Sequence, residues 1–581
     1  MHYITWIDFV AFFGMLIVSA VIGVYFAYFA AEKQNTVGQY LMGGKTMGVF
    51  PISMSLIASF ISGISILGFP AEMYVYGTQF SLAAFSWAAA CIPLSIIYLP
   101  VYFKLQITSS YDYLHKRFGY SVKFLGAVLF IIKQMLYIPI VIYVPALAFN
   151  QVTGMNLHLV TPIVCAICIF YTCVGGIKAV VWTDTFQILI MMLGLIVVLL
   201  IGINNLPSTE IIFERAAETG RLEFFNMSLD LRTRVTFWNT LIGDFFLITA
   251  GCSVNQAIVQ RCLCLPNIRQ ARLALKIFAL GQMVIVTLCC FTGLVIFATF
   301  YRCDPLITKG IQKADQLLPL YVSKIAPGKI PGLAGIFLSG VFSASLSTMS
   351  TGLNSMTGVI YEDMIKVFYK KELSEAEASN LMKVIVILLG LICVILVFVI
   401  EQLGTLIEIA TSLGGVTSGA LLGIFTLGMF LPWVNEKGVL CGGISSLLIM
   451  AWITINNQIQ INLGNIVHPK KPVSIVGCNQ DELSDPSIEI TVNEVKSEAM
   501  YLYAISYFWF TFLGAIITGI VGVAASYFFG FNNPKCIDKD LLTPIVHRFL
   551  PQTEKVEMSE IEAKGYTPKS DPDCIQINHT S

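Results

Sequence analysis

Long apolar runs, separated by short polar stretches, follow one another from the first residues of the chain to about residue 530. A helix needs about 20 apolar residues to cross the roughly 30 Å of hydrocarbon in a bilayer. The runs are continuous rather than short and alternating, which argues against membrane-spanning strands. The pattern therefore predicts an all-α polytopic membrane protein with about thirteen transmembrane helices. The predicted spans are residues 6–30, 48–69, 80–103, 124–149, 158–176, 184–204, 236–258, 274–301, 332–357, 382–402, 405–430, 437–457 and 502–530.

Basic residues in the short connections between these runs predict the orientation of the chain. Cytoplasmic loops carry an excess of Lys and Arg, and the short basic loops all fall on one side. The amino terminus is then expected outside and the carboxyl terminus in the cytoplasm, with the long loops 205–235, 302–331 and 458–501 external. The residues that carry this prediction are Lys33, Lys45, Lys104, Lys116, Arg117, Lys123, Arg261, Arg269, Arg272, Lys276, Lys366, Lys370 and Lys371.

The external loops contain two candidate modification sites. The sequon Asn226-Met227-Ser228 predicts glycosylation at Asn226. Cys303 and Cys478 lie in two different external loops, where they can pair, whereas most other Cys lie in apolar runs as small hydrophobic residues.

A polar segment follows the last apolar run. From residue 532 the chain mixes Pro, Lys, Glu and Asp with little apolar periodicity. Such composition buries too little apolar surface to fold alone. We therefore expect one transmembrane domain, residues 1–531, and a mostly disordered cytoplasmic tail, residues 532–581.

Composition excludes several classes of function. The 581 residues are 56% hydrophobic and 12% charged, with Lys+Arg and Asp+Glu at 35 each, so nothing indicates a nucleic-acid partner. The six His show no metal-ligand spacing, and no Ser/His/Asp group has a plausible scaffold. Gly43-Gly44-Lys45-Thr46 lacks the earlier glycine of a phosphate loop, since Gln39 stands there. The chain is not expected to be an enzyme, and any pumping must draw on an ion gradient.

Two predicted spans are interrupted at corresponding places. The second carries Gly63, Gly68 and Pro70 in its outer half, and the seventh carries Gly251 and Ser253 at mid-span. Interrupted helices in the two halves of a chain point to the binding site of a transporter. The spacing fits inverted five-helix repeats at about 48–204 and 236–430, although Gly and Pro are also common in ordinary membrane helices.

The ninth span carries a hydroxyl-rich face. Ser343, Ser347, Ser350 and Asn354 step by four, three and four residues, and Thr348, Thr351 and Ser355 form a parallel stripe. Sodium needs about five or six hard oxygen ligands, which hydroxyls and carbonyls can supply. The alternative is close packing, since small hydroxyl residues let helices approach each other.

Two charged residues lie at or inside predicted spans. Lys133 is a Lys well inside the fourth span, with Tyr137 one turn on; it either extends to the inner surface or attracts an anionic substrate. Asp184 opens the sixth span, where it either complements the helix dipole or lies on the sodium exit path.

Taken together, several stretches resemble the solute:sodium symporter family over roughly residues 5–530. The resemblance implies the fold of the bacterial leucine transporter and leans towards the branch that carries monocarboxylates, vitamins and iodide. It rests on YLMGGK, SLIASFISGISILGFPAEMYVYG, SSYDYLHKRFG, QMLYIPIVIYVPALAFNQVTG, GGIKAVVWTDTFQILIMMLG, VNQAIVQR and FSASLSTMSTGLNS, with YGTQF in support.

This resemblance implies a sodium site and a substrate cavity. The sodium ligands would be the carbonyls of Ala58, Ile61 and Ala344 and the hydroxyls of Ser347 and Thr348. The substrate cavity would lie near the midplane, between spans two, three, four, seven and eleven. Its implied lining residues are Ser62, Ser65, Phe80, Trp87, Tyr137, Ile248, Gly251 and Thr417, to which Lys133 is added for its charge.

Departures from the family narrow the substrate. The third span has no carboxylate, which disfavours sugar, and Ser65 stands where iodide-carrying relatives have Gln. Lys133 replaces a residue that is uncharged in the branch, which favours a carboxylate substrate. We therefore expect alternating-access import of a small organic anion with sodium across the plasma membrane, with solute, sodium and the bilayer as partners. A symporter for biotin, pantothenate or an inorganic anion, a non-transporting solute sensor and an ion channel remain alternatives, and the oligomeric state stays open.

Overall fold

The computed structural model describes residues 5–30, 36–325, 331–368, 373–403, 406–478 and 499–550. Within these ranges the chain forms helices and no sheet. In the described part of the chain, nine helices are long and apolar enough to cross a membrane, or eleven when each of two bent pairs counts as one span. The all-α polytopic fold is confirmed, while the count of thirteen spans stays a prediction.

The helices are labelled in chain order. The first ten are α1 (Trp6–Val24), α2 (Val37–Met42), α3 (Val49–Phe60), α4 (Gly63–Tyr76), α5 (Ala83–Ala89), α6 (Cys91–Pro93), α7 (Leu99–Leu105), α8 (Ser110–Phe118), α9 (Tyr120–Thr153) and α10 (Leu157–Asn204). The others are α11 (Glu210–Glu218), α12 (Asp244–Ser253), α13 (Gln256–Leu263), α14 (Ile268–Phe300), α15 (Leu317–Ile325), α16 (Leu333–Val359), α17 (Lys366–Phe368), α18 (Glu375–Leu403), α19 (Leu406–Phe430), α20 (Glu436–Asn462) and α21 (Phe510–Phe529).

Helix α10 is too long to be a single span. Its 48 residues would extend for about 72 Å, more than twice the hydrocarbon thickness. Gly176 interrupts it with φ 55° and ψ −155°, a left-handed conformation that glycine adopts without strain. The kink falls where the sequence separates the fifth and sixth apolar runs, so α10 fits two consecutive spans joined at Gly176.

The second and seventh predicted spans are both broken, the second directly before Gly63 and the seventh directly after Ser253. Helix α3 ends at Phe60, and Ile61 is extended with φ −82° and ψ 115° before Ser62 caps α4. Gly68 and Pro70 lie inside α4 rather than at the break.

The second break separates α12 from α13. It follows Ser253, and Asn255 caps α13 by accepting a hydrogen bond from the Ala257 N–H at 3.0 Å. The pair that begins at Asn239 and ends at Leu263 bends by 54° there. Each break leaves backbone carbonyls at a helix end outside the helical ladder.

Helix α16 lies at the centre of the bundle, packed against α1, α9 and α10. Nearly all of its side chains are buried. Small residues make this packing possible: a Cβ on Gly352 would approach Ile138 Cδ1 to 2.5 Å, and one on Gly340 would approach the Met191 backbone to 3.2 Å. The hydroxyl-rich face predicted from the sequence is therefore sealed inside the protein.

Outer and inner loops are fastened to this bundle. Cys303 and Cys478 form a disulfide between two of the predicted external loops. On the predicted inner side, Asn532 N–H donates to Trp433 O at 2.8 Å and Thr543 N–H donates to Met429 O at 3.1 Å. Residues 532–550 of the predicted tail thus pack on the bundle, and residues 551–581 lie outside the described part of the chain.

Candidate functional site

The hydroxyl face of α16 contains buried oxygens without partners. Ser343, Ser347 and Asn354 are almost completely buried. Within the described residues, neither serine hydroxyl has a hydrogen-bond partner, and the Asn354 amide has none either. Buried polar atoms in native proteins are nearly always satisfied, so unpartnered oxygens mark positions where an ion or solvent completes the site.

The residues implied as sodium ligands lie on α3 and α16, which pack against each other. Ala58 and Ile61 lie at the end of α3, where the break leaves carbonyls available. On α16, Thr348 Oγ1 donates to Ala344 O at 2.9 Å. A turn away, Ser59 Oγ and Thr351 Oγ1 lie 2.7 Å apart across the two helices. The geometry is compatible with the implied site, whose ligand set stays a prediction.

Next to this region lies a buried ion pair that the sequence pattern did not indicate. Asp184 Oδ2 accepts from Arg261 Nη2 at 3.1 Å and from Ser55 Oγ at 2.6 Å. Arg261 Nε also donates to Ser55 Oγ at 2.6 Å, and its Nη2 donates to Thr351 Oγ1. The cluster joins α3, α10, α13 and α16, and the Ser347 hydroxyl faces the same carboxylate.

Two interpretations of charged residues need correction. Arg261 was counted among basic loop residues, but it lies on α13 and is 1% exposed. Asp184 does not open a helix, since it lies about two turns past the kink at Gly176. A dipole role requires the first turn, so that explanation of Asp184 is wrong. Its Oδ1 has no hydrogen-bond partner among the described residues, which leaves the proposed role on the ion path open.

The implied substrate residues fall into two neighbouring groups. The first surrounds the break before α4, where Ser62 Oγ and Ser65 Oγ lie 3.4 Å apart and the Tyr137 hydroxyl faces Ser62. Gly251 lies against Phe60, whose ring packs edge-on against Trp87 with centroids 5.2 Å apart.

Aromatic packing extends this group outward. Phe69 links Phe80 and Trp87, with ring centroids 5.1 and 5.6 Å away respectively. Ile248 lies one turn before Gly251 on α12 and is buried. Polar side chains at the helix break are therefore bordered by apolar rings, an arrangement typical of small-molecule sites.

The second group joins α9 and α19. Lys133 Nζ donates to Ser418 Oγ at 2.8 Å, beside Thr417, whose hydroxyl donates to Gly414 O at 3.2 Å. The ammonium is thus held at a neighbouring helix instead of extending to the inner surface. No carboxylate among the described side chains pairs with Lys133, so this half-buried cation has a neutral hydrogen-bond partner. Tyr137, one turn along α9, connects this group to Ser62.

Asp244 is a buried polar residue that sequence reasoning missed. It begins α12, is 3% exposed and lies beside the Trp87 indole. In the part of the chain that is described, it has no ion pair, and its Oδ2 accepts no hydrogen bond. The signal was present in the sequence, because a lone carboxylate in an apolar run usually faces a cavity or the bundle interior.

On the predicted outer side, the loop before α12 is joined to α4 by a salt bridge. Arg234, which precedes α12, donates from Nε and Nη2 to the Glu72 carboxylate of α4 at 2.9 and 3.0 Å. The guanidinium also lies 4.5 Å from the centroid of Tyr76. Burial and this cation lower the pKa of His468 to about 4, so its imidazole is neutral at physiological pH. Asn226, the predicted glycosylation site, is half-buried near this salt bridge.

Comparisons with known proteins agree with these features. The sequence profile of the sodium:solute symporter family matches residues 40–446. Human sodium-coupled monocarboxylate transporter 1 is 35% identical over 553 residues, covering 93% of this chain and 90% of that protein. The Xenopus laevis protein of the same name is 37% identical over 576 residues, covering 96% and 92%. A putative sodium-dependent multivitamin transporter of Drosophila melanogaster is 35% identical over 559 residues, covering 93% and 90%.

A solved structure shares the fold. It is a Na+-coupled sialic acid symporter in a substrate-bound outward-open state with a novel Na+ site, with a TM-score of 0.74 and 22% identity. The match covers 91% of this chain and 99% of that chain. The helical fold is therefore the leucine-transporter type expected from the sequence, and the relatives are transporters, not enzymes. By the family profile and by relatives that match along nearly its whole length, the chain belongs to the sodium:solute symporter family.

Proposed function

We propose that this symporter imports a small organic anion, either a monocarboxylate such as lactate or pyruvate or a vitamin carboxylate. Sodium-coupled symport follows from the family, whereas the solute is our inference. The observation that carries it is Lys133, a cation deep in a span whose recorded hydrogen-bond partner is a serine hydroxyl. A charge at this depth along a membrane-spanning helix is costly unless a partner or a ligand compensates it. A substrate carboxylate would do so.

We place the sodium site at the carbonyls of Ala58, Ile61 and Ala344 and the hydroxyls of Ser347 and Thr348. The unpartnered Ser347 hydroxyl and the carbonyls at the end of α3 support this assignment. Five oxygen ligands without a carboxylate suit a monovalent hard cation.

Coupling would follow from alternating access. Sodium at this site would favour the outward-open state, and substrate at the break before α4 would then allow closure and inward opening. The contacts of Ser55 and Ser59 with Asp184 hold α3 against α10 on the predicted inner side. Inward opening would have to separate them, which gives Asp184 its role on the ion path. In this scheme the amino terminus and Asn226, with its glycan, lie outside the plasma membrane.

Uptake measurements test the proposal directly. Cells that express the protein are given radiolabelled lactate, pyruvate, biotin or pantothenate, in sodium or in choline. Sodium-dependent accumulation identifies the substrate class, and the multivitamin relative makes the vitamin carboxylates a necessary arm. Absence of any accumulation despite surface expression would refute the proposal in favour of a different solute or a sensor.

Lys133→Gln examines the anion-binding residue. Because a hydrogen bond to a charged group contributes roughly 1.5–3 kcal/mol, we expect the KM for the anion to rise about tenfold or more. Lys133→Arg should retain part of the affinity. Lys437→Gln removes an exposed cation at the start of α20 and serves as the matched control. Unchanged KM in Lys133→Gln would exclude Lys133 from the substrate site.

A further inference from the structure

A separate cavity of about 160 Å³ lies on the predicted outer face, beside the salt bridge between Glu72 and Arg234. Its walls come from the end of α4, the turn that follows, the loop before α12 and the loop after α20. Phe80, implied in the substrate cavity, also lines this one. The cavity therefore adjoins the path that a solute takes towards the break in α4.

The lining of this cavity is positively charged. The lining contains three cationic side chains, those of Arg234, Lys470 and Lys471, and one carboxylate, that of Glu223. Lys471 Nζ pairs with Glu223 at 2.8 Å, and Arg234 pairs with Glu72 behind the wall. Lys470 is exposed and makes no ion pair in the described ranges, so one cation remains in surplus even after both pairs are counted.

A buried amide adds a directed donor. Gln79 is 5% exposed, and its Oε1 accepts from the Asn226 backbone N–H at 2.6 Å. This contact fixes the orientation of the side chain. Gln79 belongs to the cavity lining, and its Nε2 is buried with no hydrogen-bond partner among the described residues. Buried N–H donors in native proteins are nearly always satisfied, so this amide is available to an acceptor from water or from a bound ligand.

We propose that this cavity is an outer binding site for a small carboxylate, which accepts a hydrogen bond from Gln79 Nε2 and is attracted by Lys470. The outer site rests on the proposed function, since the anion would bind here before Glu72 and Arg234 separate and admit it to the substrate site. A localised positive potential at the mouth of a site raises the local concentration and association rate of an anionic substrate.

A thiol reporter tests the site independently of transport. Thr233→Cys places the reporter in the lining, and Thr209→Cys places a thiol at an exposed threonine of the same loop, 205–235, outside both the lining and the Asn226 sequon. Intact cells in choline medium are treated with an impermeant anionic or an impermeant cationic methanethiosulfonate, with and without lactate. We expect the anionic reagent to react faster than the cationic one at Thr233→Cys and lactate to slow that reaction by about threefold, with neither effect at Thr209→Cys.

Two substitutions in the Thr233→Cys background complete the test. Gln79→Glu keeps the acceptor for Asn226 N–H but replaces the donor with a negative oxygen, and Lys470→Gln removes the surplus charge. Both should abolish lactate protection. Sodium-dependent lactate uptake without protection at Thr233→Cys would overturn the outer site and leave the proposed function standing. Protection without uptake of any carboxylate would sustain the site and refute symport of these anions, and absence of both would refute both.

Discussion

At the scale of single residues, Thr348 offers the sharpest test of the sodium site. Its hydroxyl donates to Ala344 O within α16, which leaves the oxygen free to face the end of α3. We expect Thr348→Ala to raise the sodium concentration for half-maximal uptake by about tenfold, because one ligand to a charge contributes roughly 1.5–3 kcal/mol. Uptake is measured against sodium concentration, with surface expression quantified in parallel.

Thr357→Ala is the matched control for this substitution. Thr357 lies on the same helix, is fully buried, and donates to Leu353 O at 2.7 Å in the same i−4 manner. Thr357→Ala therefore removes the same kind of hydrogen bond and the same side-chain volume, at a residue that is not assigned to the sodium site. Equal sodium activation curves for Thr348→Ala and the unmodified protein would remove Thr348 from the site.

The sequence pattern predicted which polar side chains lie inside membrane spans, but it did not predict what those side chains contact. The step of three and four residues in the ninth span indicated one polar face, since helical periodicity depends only on local geometry, but it did not indicate that nearly all of α16 is buried. The pairing of Arg261 with Asp184 joins residues 77 apart in sequence, and no local pattern encodes it. Asp244 is visible in the sequence as a lone carboxylate in an apolar run, but the glycines of that run do not point to it.

At the scale of elements, the Asp184–Arg261 pair fastens four helices together. Arg261→Met would leave Asp184 buried without its cation, a change that costs about 3–5 kcal/mol in comparable buried pairs. We expect a clear fall in the thermal unfolding midpoint of the purified protein in detergent, followed by fluorescence-detected size-exclusion chromatography. Adding Asp184→Asn should restore part of the loss, because it removes the uncompensated charge.

Arg272→Met is the control for this pair of variants. Arg272 is exposed near the start of α14 and contacts only the Ser95 carbonyl, at 3.3 Å, among its recorded hydrogen bonds. Its loss should leave the midpoint nearly unchanged. A double variant less stable than Arg261→Met alone would contradict the interpretation of Asp184 as an unpaired buried charge.

The helix breaks show how far element boundaries can be predicted. Glycine and proline indicated the correct spans, but of the three in the second span only Gly63 lies at the break, because Gly68 and Pro70 are accommodated within α4. What ends α3 is packing: a Cβ at Gly63 would lie 2.5 Å from both Pro145 Cγ and Ser345 Oγ, so α4 begins where the chain passes closest to α9 and α16. Such tertiary contacts override local propensity and cannot be read from composition.

At the scale of the whole molecule, polar contacts join the helices on both predicted sides of the implied substrate site. Serines of α3 meet Asp184 on the inner side, and Glu72 meets Arg234 on the outer side. The loop after α20 reinforces the outer contacts, since its Lys471 N–H donates to Val75 O at 2.9 Å. The disulfide between Cys303 and Cys478 joins the same loop to the loop after α14. In the proposed transport cycle, the noncovalent contacts among these would have to break and re-form.

Glu72→Gln should shift this equilibrium towards outward opening. The pair is largely buried and bidentate, so weakening it by roughly 0.5–1 kcal/mol corresponds to about a two- to fivefold change in the population ratio. If sodium favours the outward-open state, linkage requires the half-saturating sodium concentration for binding to fall as that state becomes more populated. The maximal uptake rate should fall as well, since each cycle needs the outer side to close.

Sodium-evoked charge movements without substrate measure the half-saturating sodium concentration of Glu72→Gln, and radiolabelled uptake measures its maximal rate. Asp230→Asn, which breaks the local pair with Arg232 in the same loop, should change neither. Higher rather than lower half-saturating sodium in Glu72→Gln would mean that sodium binds the closed state better, and the order of events proposed for the transport cycle would have to be reversed.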